Sequence, residues 1–212
     1  MVDYAQEALI HPTIYVKPVK LLISKTSPYS RKIRILVREK GLDVTEIETL
    51  PFDDEDVLHN ANPLGKVPAL LLGETAIYDS PVICEYLDNL DKPWLPKGQA
   101  AWRQKTLHAL GDGIIDAVLT FRMERIRPQE QWWDFWAMRQ ENATGRALLH
   151  LEDIVDELGE PWQYGNLAIA CALGYIDFRA ADMSWRTHAP KLAKWFEPFE
   201  AQKSYKDTAP QE

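Results

Sequence analysis

Cysteine is scarce in this sequence of 212 residues, which contains only Cys84 and Cys171. The two lie far apart, each within an apolar pattern of helical spacing, and neither belongs to a C-x-x-C pair or to a metal-ligand spacing. This scarcity excludes a disulfide framework, a zinc site built on thiolates and a dithiol redox motif. We therefore expect two buried free thiols and no metal.

The sequence also lacks long apolar runs and any excess of basic residues. No window reaches the roughly 18 apolar residues of a membrane span, and 24 Lys and Arg against 32 Asp and Glu give a net charge of -8. Because a nucleic-acid surface normally needs a basic patch, we expect neither a membrane nor a nucleic acid as partner. Residues 1–18 have an early acid and no signal-peptide pattern, which predicts an extra arm on a cytoplasmic protein.

What the sequence does contain is a dense series of turn and strand patterns between Asn62 and Leu87. They predict a turn at Asn62 to Gly65 and a strand from Pro68 to Leu72, led by the proline. A hairpin turn at Gly73-Glu74, a return strand at Thr75 to Tyr78 and a helix start at Asp79-Ser80-Pro81 follow. Pro81 at the first helical turn makes Ser80 the expected N-cap.

The Val67-Pro68 bond lies in the predicted turn, directly before the strand. An X-Pro bond in such a turn adopts the cis form at a cost of only about 0.5–1 kcal/mol. A cis bond here would direct the Val67 N–H and C=O outward, where an extended ligand can bind them.

A second Ser-Pro pair starts another helix earlier in the chain. A short apolar strand at Leu21 to Ile23 precedes Ser27-Pro28, a helical pattern runs from Ser30 to Lys40, and a second strand follows at Val44 to Thr49, which together predict a βαβ unit. Two helix N-termini in one small sheet domain can converge on one anionic ligand through free N–H groups and the helix dipole. Alternatively, Ser27 and Ser80 merely cap their helices.

The sequence beyond residue 97 is helical in pattern. A proline-bounded connection at Asp91 to Lys97 predicts the domain boundary. Four helical segments follow, the third of them continuously apolar as expected of a buried central helix: Ala101 to Met123, Gln129 to Leu158, Asn166 to Phe178 and Pro190 to Trp195.

The segment NPLGKVPAL, the DS pair and the helix PVICEYL resemble the N-terminal domain of the glutathione S-transferases. GDGIIDA and NLAIACALGYIDFR further resemble the bacterial YibF-like homologues of that family. The resemblance implies an α/β thioredoxin-like N-terminal domain at residues 19–90 and an all-α C-terminal domain at residues 98–205. It also implies a homodimer with a detoxifying transferase activity that uses glutathione as co-substrate.

The same resemblance implies roles for individual residues. Ser27 matches the position whose hydroxyl activates the thiol, with Thr26 as the alternative. The glutathione-binding residues implied are Ser27, Lys66, Val67, Pro68, Asp79 and Ser80. The helix that in this family lines the second-substrate pocket carries Asp112, Asp116 and Phe121.

Two other functions stay open at this stage. The loop at Pro51 to Asn60 is acidic where some relatives offer a cation to glutathione, which leaves Lys66, and secondarily His59, as the available cations. One alternative function is a non-catalytic adaptor that binds another protein. The other is a glutathione-dependent reductase or peroxidase, although Ser27 in place of cysteine disfavours a mixed-disulfide step.

Overall fold

The computed structural model describes residues 19–53 and 56–211. The arm predicted at residues 1–18 lies outside these ranges. The first part of the described chain forms a four-stranded sheet of strand order β2-β1-β3-β4. Strand β1 pairs in parallel with β2 and antiparallel with β3, which pairs antiparallel with β4. The strands are β1 Val19–Ile23, β2 Val44–Glu48, β3 Ala69–Leu72 and β4 Thr75–Ile77.

Three helices accompany this sheet: α1 Pro28–Glu39, α2 Asp56–Ala61 and α3 Ser80–Asp88. Strand β1 has neighbours on both sides, and its residues are buried except Lys20, as expected of a strand covered on both faces. Helix α1 ends before Gly41, whose φ of 61° is the left-handed conformation that glycine adopts without steric cost. The βαβ unit followed by an antiparallel hairpin and a helix is a thioredoxin-like domain.

The chain that follows is helical. Its helices are α4 Gln99–Arg125, α5 Asp134–Asp153, α6 Tyr164–Arg179, α7 Trp185–His188, α8 Pro190–Ala201 and α9 Lys203–Asp207. Helix α6 is buried from Tyr164 to Ile176, so the predicted central helix is confirmed. It packs closely on α4 because Gly111 lacks a side chain, and a Cβ there would lie 2.5 Å from the backbone of Ala168. In the described ranges, no helix has the length and apolar character needed to cross a membrane.

The second long helix is shorter than predicted. Pro128 is followed by one 3-10 turn at Gln129–Gln131, and Trp132 is extended, so α5 starts only at Asp134. The buried Glu124 side chain accepts a hydrogen bond from the Trp133 N–H at 2.7 Å, which holds the chain in this non-helical path. The helix was predicted to start at Gln129 from apolar periodicity alone, and periodicity gives no information on a side-chain contact from another helix. The predicted start is therefore too early.

Candidate functional site

Ser27 is the N-cap of α1, as predicted. Its φ and ψ of -77° and 120° are extended, and its hydroxyl oxygen accepts a hydrogen bond from the Ser30 N–H at 3.1 Å. A serine hydroxyl has one O–H donor besides its acceptor lone pairs. Capping therefore occupies an acceptor position and leaves the Ser27 O–H able to donate to a ligand at the positive end of the helix.

Thr26, the alternative hydroxyl, has a different environment. Its Oγ1 lies 3.1 Å from the Ser24 Oγ, and either oxygen can be the donor. The Thr26 proton thus has a competing acceptor within the turn. Within residues 19–53 and 56–211, the Ser27 hydroxyl has only the Ser30 N–H as a partner, so its proton has no such competitor.

The turn before β3 presents backbone groups. The Val67-Pro68 peptide is cis, the form that the sequence allows at low cost, and neither the N–H nor the C=O of Val67 has a hydrogen-bond partner in the described parts of the chain. The buried Asn62 side chain fixes this turn, because it donates to the Lys66 C=O at 2.8 Å and accepts from the Leu64 N–H at 3.0 Å. The Lys66 side chain is exposed.

The start of α3 differs by one residue from the prediction. Asp79 is the N-cap, with extended φ and ψ of -89° and -164°, and Ser80 is the first helical residue. The Asp79 C=O accepts the Ile83 N–H at 3.0 Å, which defines this cap, while the Asp79 carboxylate caps nothing and is exposed. The prediction of Ser80 as N-cap was therefore wrong. Ser80 is 2% exposed, at the N-terminal turn of the helix.

The sheet register brings these three segments together at one end of the strands. Leu22 of β1 pairs with Ala69 of β3, so the chain leading from β1 to Ser27 runs beside Val67-Pro68. Ile77 of β4 pairs with Leu70, so the chain leading from β4 to Asp79 runs beside the same turn. The N-termini of α1 and α3 and the free backbone of Val67 thus border a common region.

Asp112 forms an ion pair that the sequence did not predict. Both its carboxylate oxygens accept hydrogen bonds from the Lys32 ammonium, at 2.6 and 2.8 Å, and the His108 Nε2 lies 3.4 Å away. Lys32 belongs to α1 and is fully buried. Both oxygens of Asp112 thus take part in an ion pair between the sheet domain and α4, and its place in the second-substrate pocket stays a prediction. We name Lys32, His108 and Asp112 the interdomain cluster.

His108 is held in one tautomer by this cluster. Its Nε2 lies 2.9 Å from the Lys32 Nζ, and an ammonium can only donate, so Nε2 is the acceptor. The Nδ1–H then donates to the Tyr164 C=O at 3.1 Å. Burial lowers the pKa of His108, the neighbouring Asp112 carboxylate opposes this, and the Lys32 charge adds to the lowering, so the pKa is lowered overall. Burial alone would raise the pKa of Asp112, but the neighbouring His108 and Lys32 side chains outweigh it and lower that pKa.

Asp116 does lie at a pocket. Its carboxylate accepts a hydrogen bond from the Tyr29 hydroxyl, and it lines a cavity of about 360 Å³ between α4 and α5. Burial, followed by the Asp116 bond, raises the pKa of Tyr29, so its hydroxyl stays protonated and donates. Phe121 is half-buried and is not among the residues that line this cavity. Its role stays a prediction.

The cysteines are buried free thiols, as predicted. Burial raises the pKa of Cys171 to about 11 and raises that of Cys84 as well. Neither is a thiolate at neutral pH, so neither is a candidate nucleophile. Within the described ranges, no group of His, Cys, Asp and Glu side chains has the arrangement of a metal site.

Comparison with known proteins gives the following matches. The family described as glutathione S-transferase, N-terminal domain, matches residues 21–94. The uncharacterised GST-like protein YibF of Escherichia coli K12 is 36% identical over 199 residues, covering 91% of this chain and 98% of that protein. A glutathione transferase family member from Pseudomonas fluorescens Pf-5, solved with bound glutathione, is 38% identical with a TM-score of 0.87, covering 92% of this chain and 100% of that one. A stringent starvation protein A homologue of Haemophilus ducreyi is 24% identical over 177 residues, covering 80% of this chain and 75% of that protein.

Proposed function

This chain belongs to the glutathione S-transferase family, and we propose that it binds glutathione in its N-terminal domain and transfers the activated thiolate to a small, hydrophobic electrophile. The observation that carries the proposal is that the N-termini of α1 and α3 and the unpaired backbone of Val67 lie at the same end of the sheet strands. Glutathione is an extended anionic peptide with a thiol, and it needs a strand-like backbone partner as well as anion sites. The Pseudomonas relative with bound glutathione supports the same assignment.

Thiol activation is the step that the protein must supply. The thiolate is the nucleophile, and a free thiol with a pKa of about 8.5 is only a few per cent ionised at neutral pH. Lowering this pKa by about two units requires roughly 2.7 kcal/mol of preferential thiolate binding. We assign this role to Ser27, because a hydrogen bond to a charged group contributes about 1.5–3 kcal/mol and the α1 dipole adds to it.

The remaining contacts with glutathione follow from its own groups. We assign the cysteinyl backbone to Val67, with Pro68 fixing the turn, and the γ-glutamyl carboxylate to Ser80 and the N-terminal N–H groups of α3. The exposed Asp79 carboxylate suits the γ-glutamyl ammonium. Lys66 is the cation nearest in sequence to this turn and suits the glycine carboxylate.

Broader features belong to the same proposal. We place the glutathione-binding domain at residues 19–90 and the helical domain at residues 98–205. We further propose that the protein is a cytoplasmic homodimer with a detoxifying role, and that it uses no metal.

Titration calorimetry with glutathione, followed by a turnover panel, tests the proposal. We expect binding in the micromolar to millimolar range and conjugation of 1-chloro-2,4-dinitrobenzene. A protein that neither binds glutathione nor conjugates any electrophile would instead be an adaptor, as its likeness to a stringent starvation protein A homologue allows. Turnover of hydroperoxides or of a mixed disulfide, without conjugation, would establish the reductase or peroxidase alternative.

A further inference from the structure

The cavity between α4 and α5 is lined by two arginines that form no ion pair in the described ranges. Arg139 and Arg146 lie seven residues apart on α5, both line this cavity, and both are exposed. In the part of the chain that the structure describes, neither guanidinium has an ion pair or a hydrogen bond. By contrast, Arg125 pairs with Asp134 at 3.2 Å and Arg127 with Glu124 at 3.5 Å, near the same end of the helices.

The two arginines lack partners although the chain is rich in carboxylates. With 32 Asp and Glu against 24 Lys and Arg, carboxylates are the more abundant charged groups. The one carboxylate that lines the cavity, Asp116, is engaged by the Tyr29 hydroxyl and pairs with neither arginine. The guanidinium groups are therefore available to a ligand, and their planar donor geometry suits a carboxylate.

The other walls of the cavity favour a flat apolar body. The Trp136 ring lines it and stacks on Trp133 with centroids 6.0 Å apart and an interplanar angle of 17°. Gln140 and Thr120 add neutral hydrogen-bonding groups. A volume of about 360 Å³ accommodates a small aromatic acid.

The Tyr29–Asp116 hydrogen bond links the cavity to the first turn of α1. Tyr29, which bonds to Asp116, lies in the first turn of α1, two residues after Ser27. The Asp116 carboxylate repels an anion at this end, while the two arginines attract it on the α5 side. An anionic ligand held by the two arginines would therefore place its carboxylate away from the Tyr29–Asp116 pair and its other end toward the first turn of α1.

From these contacts we infer that the second substrate is an aromatic or similarly flat electrophile that carries a carboxylate, held by Arg139 and Arg146. The inference rests on the proposed transferase function. With 4-chloro-3-nitrobenzoate as probe, the thiolate sulfur bonds to the ring carbon that bears chlorine, and chloride leaves with the electrons of the C–Cl bond. The thiol proton has already passed to solvent, so the step needs no other reactant.

The test compares that probe with neutral 1-chloro-2,4-dinitrobenzene in the variants Arg139→Gln, Arg146→Gln and the double variant. Arg103→Gln is the matched control, since Arg103 is an exposed α4 arginine that pairs with Glu157 at 2.7 Å and does not line the cavity. We expect kcat/KM for the benzoate to fall about threefold in each single variant and about tenfold in the double variant. The neutral probe and the control should change little.

Three results would overturn the inference: equal losses for both probes, no loss for the benzoate, or a change of molecular mass in the double variant. The last result would assign the arginines to an interface between copies of this chain. Calorimetry with 3-nitrobenzoate against 3-nitrobenzamide, in the presence of glutathione, gives a readout independent of turnover. Arginine-dependent binding of the benzoate without any conjugation would refute the transferase function and leave the anion site standing.

Discussion

At the scale of single residues, the central question is which hydroxyl meets the sulfur of glutathione. Ser27 caps α1 through its oxygen, and this contact leaves its proton to donate. Thr26 shares a hydrogen bond with Ser24 and therefore has a competing use for its proton. Capping and thiol activation are compatible in Ser27, so the two interpretations of the Ser-Pro pair do not exclude each other.

Replacing Ser27 by alanine separates these two contributions. We expect kcat for conjugation at neutral pH to fall roughly ten- to a hundredfold, because a lost hydrogen bond to charge removes about 1.5–3 kcal/mol. Loss of the donor raises the pKa of the bound thiol, so the defect should shrink as rising pH ionises the thiol without help. The measurement is a pH–rate profile from pH 6 to pH 9, with glutathione affinity determined in parallel.

Thr26→Ala is the control for this variant. A defect in Ser27→Ala that is independent of pH, or a larger defect in Thr26→Ala, would mean that Ser27 only caps its helix. Capping alone predicts a loss of about 1 kcal/mol in the free energy of unfolding with little change in the profile.

The N-cap role of Ser27 was predictable because it depends on near neighbours in sequence. A serine followed by proline before an apolar helical pattern predicts a helix start to within one residue, and this prediction needs no contact that is distant in sequence. The role of Lys32 was not predictable, because its partners His108 and Asp112 lie 76 and 80 residues away in sequence. Lys32 follows the pattern of an ordinary surface lysine, and only the packing of α1 against the helical region buries it.

At the scale of elements, the site depends on how helices begin. The start of α3 was predicted to within one residue. The error of one residue arises because proline is compatible with either of the first two helical positions, so Pro81 allows either Asp79 or Ser80 as the cap. The structure assigns the cap to Asp79 and leaves its carboxylate exposed. Both side chains thus remain available to the charged groups of a γ-glutamyl unit.

Variants at this helix start should weaken glutathione binding rather than chemistry. We expect Ser80→Ala to raise the dissociation constant of glutathione about three- to tenfold through the loss of one hydrogen bond to a carboxylate. Asp79→Asn removes the charge offered to the ammonium and should have an effect of similar size. Calorimetry on the folded variants measures both, and unchanged affinity in Ser80→Ala would remove Ser80 from the proposed site.

At the scale of the whole molecule, large apolar side chains stay exposed in both parts of the fold. Phe52 is 86% exposed and Leu64 is 67% exposed in the thioredoxin-like domain, while Trp133 and Phe135 are each 59% exposed in the helical region. Apolar surface of this kind marks interaction sites when it is contiguous. It is consistent with the homodimer that the family resemblance implies.

Light scattering behind a sizing column tests the dimer. We expect a mass near twice the chain mass of 24.4 kDa at micromolar concentration. Phe52→Ser, which removes a large exposed ring without touching the core, should shift the equilibrium toward the monomer if this loop is part of the interface. A mass of one chain across the whole concentration range would contradict the dimer.

The contact between the sheet domain and the helices has a titratable group at its centre. Three neighbours face His108: the Lys32 ammonium at 2.9 Å, the Asp112 carboxylate at 3.4 Å, and the Tyr164 ring, which stacks on the imidazole with centroids 4.5 Å apart. Burial keeps the pKa of His108 below its usual value, and protonation would place a second positive charge beside Lys32. Folding therefore favours the neutral form of His108 over the protonated one.

This arrangement predicts how stability depends on pH. In the unfolded chain His108 has an ordinary pKa of about 6.5. Because the folded pKa is lower, the unfolded state binds more protons in the window below about pH 6.5, and the free energy of unfolding falls as pH falls through it. One histidine contributes at most about 1.4 kcal/mol per pH unit to this slope.

Urea unfolding at pH 7.5, 6.5 and 5.5 measures the slope in the wild type and in His108→Asn, whose amide can still donate to the Tyr164 C=O. We expect the variant to be less stable at pH 7.5 but to lose less stability on acidification, because it lacks the group that takes up the proton. His150→Asn, at an exposed position on α5, is the matched control and should keep the wild-type slope. If His108→Asn does not fold, His108→Gln replaces it. A wild-type slope in the folded His108 variant would show that the acid sensitivity of the domain contact arises elsewhere.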